Sequence, residues 1–303
     1  PSLVALSIGW LLVAVGGFLA SIVDPDMPAS ATHAFITLYL SFASVVIAGF
    51  VLQKPVEHTR LMMNAYLVAA VIATVAALIG YFGIVPQLQE LFTGFGRARG
   101  TFKDPNVYGA FLAPAIGYAI YLWYGSGGLR SLVPLAASVV LVLGALLSFS
   151  RGAWFNAVLV LAVFGYLSFV TARTGRQQVR LFTIAVVGLL GVAAVLLVAL
   201  QFDEVADLMQ QRASLEQSYD VGPQGRFGGQ AKALGLIQDH PLGIGAKVFS
   251  STYHHEDVHN VYLSMFLNAG WIGGFAYLAV VLATLAVGVA AVLQRSEFQS
   301  LTH

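Results

Sequence analysis

Eight runs of mostly apolar residues, each about as long as a membrane is thick, dominate this sequence: 3–23, 34–52, 61–80, 107–124, 132–149, 152–170, 181–201 and 259–293. A hydrocarbon core of roughly 30 Å is crossed by about 20 helical residues. Within lipid every backbone N–H and C=O must be satisfied internally, which leaves helices and closed barrels. None of the runs alternates apolar with polar residues as a barrel strand does. The expected fold is therefore all-α: a polytopic helical membrane protein with about eight spans. Pro114 and Pro134 lie inside apolar runs and are expected as kinks.

Composition supports this for a physical reason. Only 10% of the 303 residues are charged, against about a quarter in a soluble domain, and 58% are hydrophobic. Fifteen basic and 14 acidic side chains cannot coat an aqueous surface of this size, and mean hydropathy is +0.81. Soluble enzymes and disordered chains are excluded. The net charge of +1 points to no nucleic acid. With no cysteine there are no disulfides, thiolate metal sites or Cys nucleophile, while the redox compartment stays open. Hydrophobic sequence begins at once after Pro1, so the chain is read as cropped at both ends, with any signal sequence outside it.

The connections alternate in character. One set is short and basic: Lys54 and Arg60, then Arg130, then Arg173, Arg176 and Arg180, then Arg295. Short loops rich in Lys and Arg stay cytoplasmic. The other set contains Asp24 and Asp26, the segment 81–106, the Ser150-Arg151 turn and the long stretch 202–258, and it carries most of the acids. The expected division is membrane helices over 1–201, a periplasmic loop with helices over 202–258, and a final membrane helix within 259–303. Arg97, Arg99, Lys103, Asp104, Asn106, Arg151, Arg226 and His259 all fall on the outer side, and a shared outer-leaflet site is the simplest account.

Each polar constellation has a functional and a plain reading. Arg151 sits in a tight hairpin at a membrane boundary, as a site cation or as a side chain snorkelling to lipid phosphate. In 97–106, Asp104 to Asn106 are expected to cap the helix that follows, and Arg99 and Lys103 beside that helix start suit an anion. In the long loop, Val205, Leu208, Met209 and Leu215 have helical spacing, Gly222, Pro223 and Gly225 break the chain, and Arg226 opens a second helix through Gln238. A cation at a helix start opposes the dipole unless a polyanion lies beside it. His240-Pro241 ends that helix, with Gly243 and Gly245 in a compact turn. The run from His254 to His259 invites a metal, but adjacent histidines in a loop rarely point to one centre and no i, i+4 pair lies on an expected helix, so none is expected. His259 enters the last span directly and is placed to act as a base or to bond a loop carbonyl. Gly270, Gly273 and Gly274 are expected as a helix-packing face.

Together these pieces resemble the O-antigen ligase (Wzy_C) family of membrane glycosyltransferases. His259-Asn260, nine residues, Gly270 and then Gly273 match its His motif. Asp239-His240-Pro241-Leu242-Gly243-Ile244-Gly245 is similar to its HPLGxG segment. Gly100-Thr101-Phe102 with Pro105-Asn106 resembles its GTF…PN segment, with Asp104 where Asn is commoner. Ser150-Arg151-Gly152 and Arg226 stand where the family's two arginines are expected. The resemblance covers about 95–275. Members usually have about a dozen spans, which again implies cropping.

The resemblance implies an inverting transfer of a glycan from an undecaprenyl-diphosphate carrier to an acceptor sugar hydroxyl, at the periplasmic face of the bacterial inner membrane. It implies Arg151 and Arg226 on the diphosphate, His259 as the base, and Arg99, Lys103, Asn106 and Asn260 as substrate-binding residues. No cofactor and no metal are implied, and membrane lipid surrounds the chain. The implied acceptor is lipid A–core, with a lipid-linked glycan, as in a polymerase of O-antigen or exopolysaccharide repeats, as the alternative. Transfer to protein and peptidoglycan polymerisation are further variants. A transporter of the same lipid predicts ionisable groups near mid-membrane, where the spans have almost none, and a purely structural subunit would not need the His motif.

Overall fold

A computed structural model describes residues 2–126, 128–172, 174–199, 201 and 222–293. Arg173, Arg295 and the expected helix over 202–221 lie outside the described residues. Among those described, eight helices are long and apolar enough to cross a membrane, in the order expected. They are α1 (Ser2–Ile22), α2 (Met27–Gln53), α3 (Pro55–Tyr81), α5 (Pro105–Gly125), α6 (Leu132–Leu147), α7 (Arg151–Thr171), α8 (Gly175–Ala199) and α10 (Val261–Leu293). The single-turn α4 (Gln89–Phe92) leads into a small antiparallel hairpin of β1 (Thr93–Gly94) and β2 (Arg97–Ala98), and α9 (Arg226–Asp239) precedes α10.

Several boundaries differ from expectation. α2 begins at Met27, seven residues early, because Asp26 accepts a hydrogen bond from the Ala29 amide and Pro28 pre-sets the first turn. Pro134 falls in the first turn of α6, where no amide bond is lost, so Pro114 is the proline inside a helix. α6 stops at Leu147 rather than 149, since Phe149 has a left-handed backbone (φ 45).

The chain forms two compact units. One comprises 1–59 and 216–303. In it α1 packs on α2 and on α10 through small residues. A methyl on Gly16 would meet the Ala269 carbonyl and the Gly273 backbone, so the two helices touch main chain to main chain. Gly273 thus lies on the packing face expected of it.

Gly270 does something else. Its φ of 62 and ψ of −168 break α10 into two helical halves. The segment from Pro241 to Gly245 enters the break. The Trp271 amide donates to the Pro241 carbonyl (2.8 Å), and the Ile244 amide donates to the Leu267 carbonyl (2.8 Å), so backbone groups orphaned by the break find partners. The Trp271 indole adds a bond to the Ile237 carbonyl at the end of α9 (2.8 Å). Ala233, Ile244, Phe249, Val258 and Leu267 form the core beneath.

The other unit comprises 60–215. Its core lies between α3, α5, α6 and α7, around Tyr108, Leu112, Ile116, Leu141 and Phe149. Polar groups between these helices are paired inside the protein. Tyr66 donates to the Phe111 carbonyl (2.6 Å), Tyr118 to Asn64 (2.8 Å) and Tyr108 to Thr74 (3.2 Å).

Candidate functional site

In the unit that holds α9 and α10, the loop 253–259 is held to α9 by its carbonyls. Arg226 donates to the His259 carbonyl (3.1 Å), Gln230 to that of Val258 (3.5 Å) and Lys232 to that of Tyr253 (2.7 Å). Arg226 and Gln230 are one turn apart, so they share a helix face. Arg226 opens α9 as the sequence predicts, with Gly225 at the cap.

His259 has a left-handed backbone (φ 51), uncommon for a residue with a side chain. Its imidazole Nε2 lies 3.4 Å from Glu256 Oε2, and the other oxygen of that carboxylate is 3.9 Å from His255. His254 turns inward, 7% exposed, and stacks on Phe249. The histidine run therefore splits between core and surface. Among the described residues, no three His, Asp or Glu side chains are grouped as metal ligands. Asn260 caps α10: its Oδ1 accepts from the Tyr262 (3.0 Å) and Leu263 (3.3 Å) amides. Sequence reasoning passed over Glu256 as a partner of His259. Its signal was the i, i+3 spacing to His259.

In the unit that holds α3 and α5–α8, the focus is the start of α7. Ser150 caps the helix by accepting from the Ala153 amide (3.3 Å), and Arg151 is its half-buried first residue. Asp104 caps α5 as expected, accepting from the Asn106 amide (2.6 Å). A methyl on Gly109 would meet Ser148 and Ala153, so the first turns of α5 and α7 are in contact.

The cations of 97–106 divide. Arg97 is 5% exposed; its Nε donates to the Ser148 carbonyl (2.7 Å) and its Nη2 to Asn106 Oδ1 (2.8 Å). Arg99 is half-buried and donates to the carbonyls of Lys103 (3.2 Å) and Glu90 (3.0 Å), while the Lys103 side chain is exposed. Arg97 and Arg99 are two apart and share strand parity, so alternation could not separate them.

One further feature escaped the sequence. With α2 starting at Met27, His33 lies inside a span. With Ser30, Thr37 and Asn268 it lines a cavity of about 10 Å³ between α1, α2 and α10, room for about one water.

The fold is thus that of a multi-pass helical membrane protein, with Arg151 at the start of α7 in one unit and, in the other, Arg226 at the start of α9 and His259 just before α10. Residues 136–278 match the Wzy_C family, described as O-antigen ligase. The matched stretch includes Arg151, Arg226, the Pro241–Gly245 segment, His259 and Gly270. The match gives it the general character of an O-antigen ligase or polymerase, a membrane glycosyltransferase type. The 97–106 segment lies outside it. Neither the curated proteins nor the solved structures include a match to the chain.

Proposed function

We propose that the protein is an inverting glycosyltransferase that moves a glycan from an undecaprenyl-diphosphate carrier to an acceptor sugar hydroxyl at the periplasmic face of the bacterial inner membrane, ligating O-antigen to lipid A–core. The observation that carries this is His259. Within the family match, it sits at the mouth of a span in a left-handed backbone, with a carboxylate beside its ring and a guanidinium on its carbonyl. Such backbone geometry is maintained at functional sites by surroundings that over-determine it.

In the proposed step, the His259 imidazole takes the proton of the acceptor hydroxyl. The oxygen attacks the anomeric carbon from the face opposite the diphosphate. The bond from that carbon to the diphosphate oxygen breaks, with inversion, and undecaprenyl diphosphate leaves. The leaving group supplies the driving force, so no nucleotide is needed. Arg151 and Arg226 stabilise the charge that develops on it, which guanidinium does through permanent charge and two parallel bonds. Arg99 and Lys103 stand in supporting roles towards the phosphates, Asn106 acts through its bond from Arg97, and Asn260 acts by setting the start of α10 behind His259.

The test is an assay of purified full-length protein with lipid-linked glycan, offering lipid A–core and free lipid-linked repeat as separate acceptors. Transfer to lipid A–core that is lost in His259→Ala, with the variant folded, is the expected result. Extension of the lipid-linked repeat instead would make the protein a polymerase. Near-normal transfer by His259→Ala would remove His259 from the mechanism.

A further inference from the structure

Arg97 is the most buried cation described in the chain, and no role has been assigned to it. A buried guanidinium is retained only where its donors meet acceptors of good geometry. Arg97 meets two from different parts of the unit. Its Nε bonds the Ser148 carbonyl, 51 residues away in sequence and three residues before Arg151. Its Nη2 bonds the side chain of Asn106, in the first turn of α5. The neighbouring contacts are equally close: Ser148 hydroxyl and Ala153 lie against Gly109, and Ser150 caps α7. Ser148 is fully buried and its amide still makes a helical bond to the Gly144 carbonyl (3.0 Å), but Phe149 then takes a left-handed conformation and the regular helix stops short of Arg151. The guanidinium holds the Ser148 carbonyl at that exit. Arg99 and Lys103 have no equivalent hold, since their contacts stay within 89–103.

We infer that Arg97 is a positioning residue for the donor site: it ties the turn before Arg151 to the start of α5 and thereby sets the Arg151 guanidinium against the diphosphate. This rests on the reading of Arg151 given above. Arg97 does not touch substrate. Lysine in its place would keep the charge and lose the two-point fork, so the turn would lose its tie while the core kept its cation.

The experiment measures the affinity of the purified full-length protein for undecaprenyl diphosphate in detergent, with undecaprenol as the uncharged control. Wild type, Arg97→Lys, Arg151→Lys and the double variant are compared on monodisperse fractions. Arg97→Lys is expected to weaken diphosphate binding about ten-fold, the scale of one hydrogen bond to a charged group, and to leave the undecaprenol control unchanged. The double variant is expected to be no weaker than Arg151→Lys alone, because Arg97 acts through Arg151. A general packing role would lower the bound fraction without this non-additivity. If Arg97→Lys does not yield folded protein, Asn106→Leu removes one end of the tie and is expected to give the same non-additive loss. Additive losses, or unchanged affinity in Arg97→Lys beside a weakened Arg151→Lys, would overturn the inference and leave the donor site standing. Unchanged affinity in both single variants would overturn the donor-site reading itself.

Discussion

Replacing Gly270 by alanine tests whether the break in α10 is built into the protein. The backbone there, with φ 62 and ψ −168, belongs to a region that is essentially glycine's own, and placing a side chain in it costs about 1–3 kcal/mol. The added methyl would stand 2.6 Å from both the Pro241 oxygen and the Leu242 carbonyl carbon. Both are main chain and cannot rotate away, so overpacking adds about 1–3 kcal/mol. The chain can relieve the strain by expelling the Pro241–Gly245 segment. That forfeits the Trp271–Pro241 and Ile244–Leu267 hydrogen bonds, at about 1 kcal/mol each. Staying in place predicts a loss of about 2–6 kcal/mol and expelling the segment about 2 kcal/mol, so the loss is at least about 2 kcal/mol, a large share of the roughly 5–15 kcal/mol of a typical fold. The assay is denaturation in detergent beside Gly288→Ala, in the same helix, where a methyl meets nothing within 4 Å. Gly288→Ala is expected to be neutral or slightly stabilising, as alanine favours a helix by up to about 1 kcal/mol. Equal stability of the two variants would refute the reasoning, since the break would then be incidental.

Other expectations follow from single contacts. Arg226→Lys removes the fork that reaches the His259 carbonyl while keeping the charge. Transfer should fall by roughly ten-fold or more with the melting temperature nearly unchanged, because the side chain is exposed; full activity would reduce Arg226 to a point charge. Gly245→Ala would push a methyl into the buried Asp24 carboxylate at a backbone φ of 96, so a loss of at least about 2 kcal/mol in the same denaturation assay is expected. A variant as stable as wild type would mean that the contact yields freely. Transfer should persist in excess EDTA, with arginines stabilising the leaving diphosphate. Inhibition reversed by added metal would return attention to His255, Glu256 and His259.

Much of this was legible from one dimension. Asp104 was readable as a cap because a short acidic side chain before Pro-Asn can reach the free amides of the next turn. Arg226 was readable as a helix start because Gly222, Pro223 and Gly225 interrupt the chain just before it. The break at Gly270 was not. Glycine in an apolar helix ordinarily serves close packing, as Gly273 does here, and nothing local says that another backbone enters beside it. The start of α2 was placed late because Ser30, Thr32 and His33 interrupt the apolar run, whereas Ser30 and His33 line a small cavity with Asn268 of α10.

Sequence alone determined the membrane class and the number of described spans, because the length of an apolar run is matched directly to the thickness of a bilayer. It also placed the helix caps, since these are contacts between near neighbours in the chain. Tertiary structure decided which arginine of the pair Arg97 and Arg99 is buried, and that the Glu256 carboxylate stands beside His259. Those outcomes depend on partners brought together by folding. Arg97 is anchored by a carbonyl 51 residues away, and no local pattern of residues encodes such a meeting.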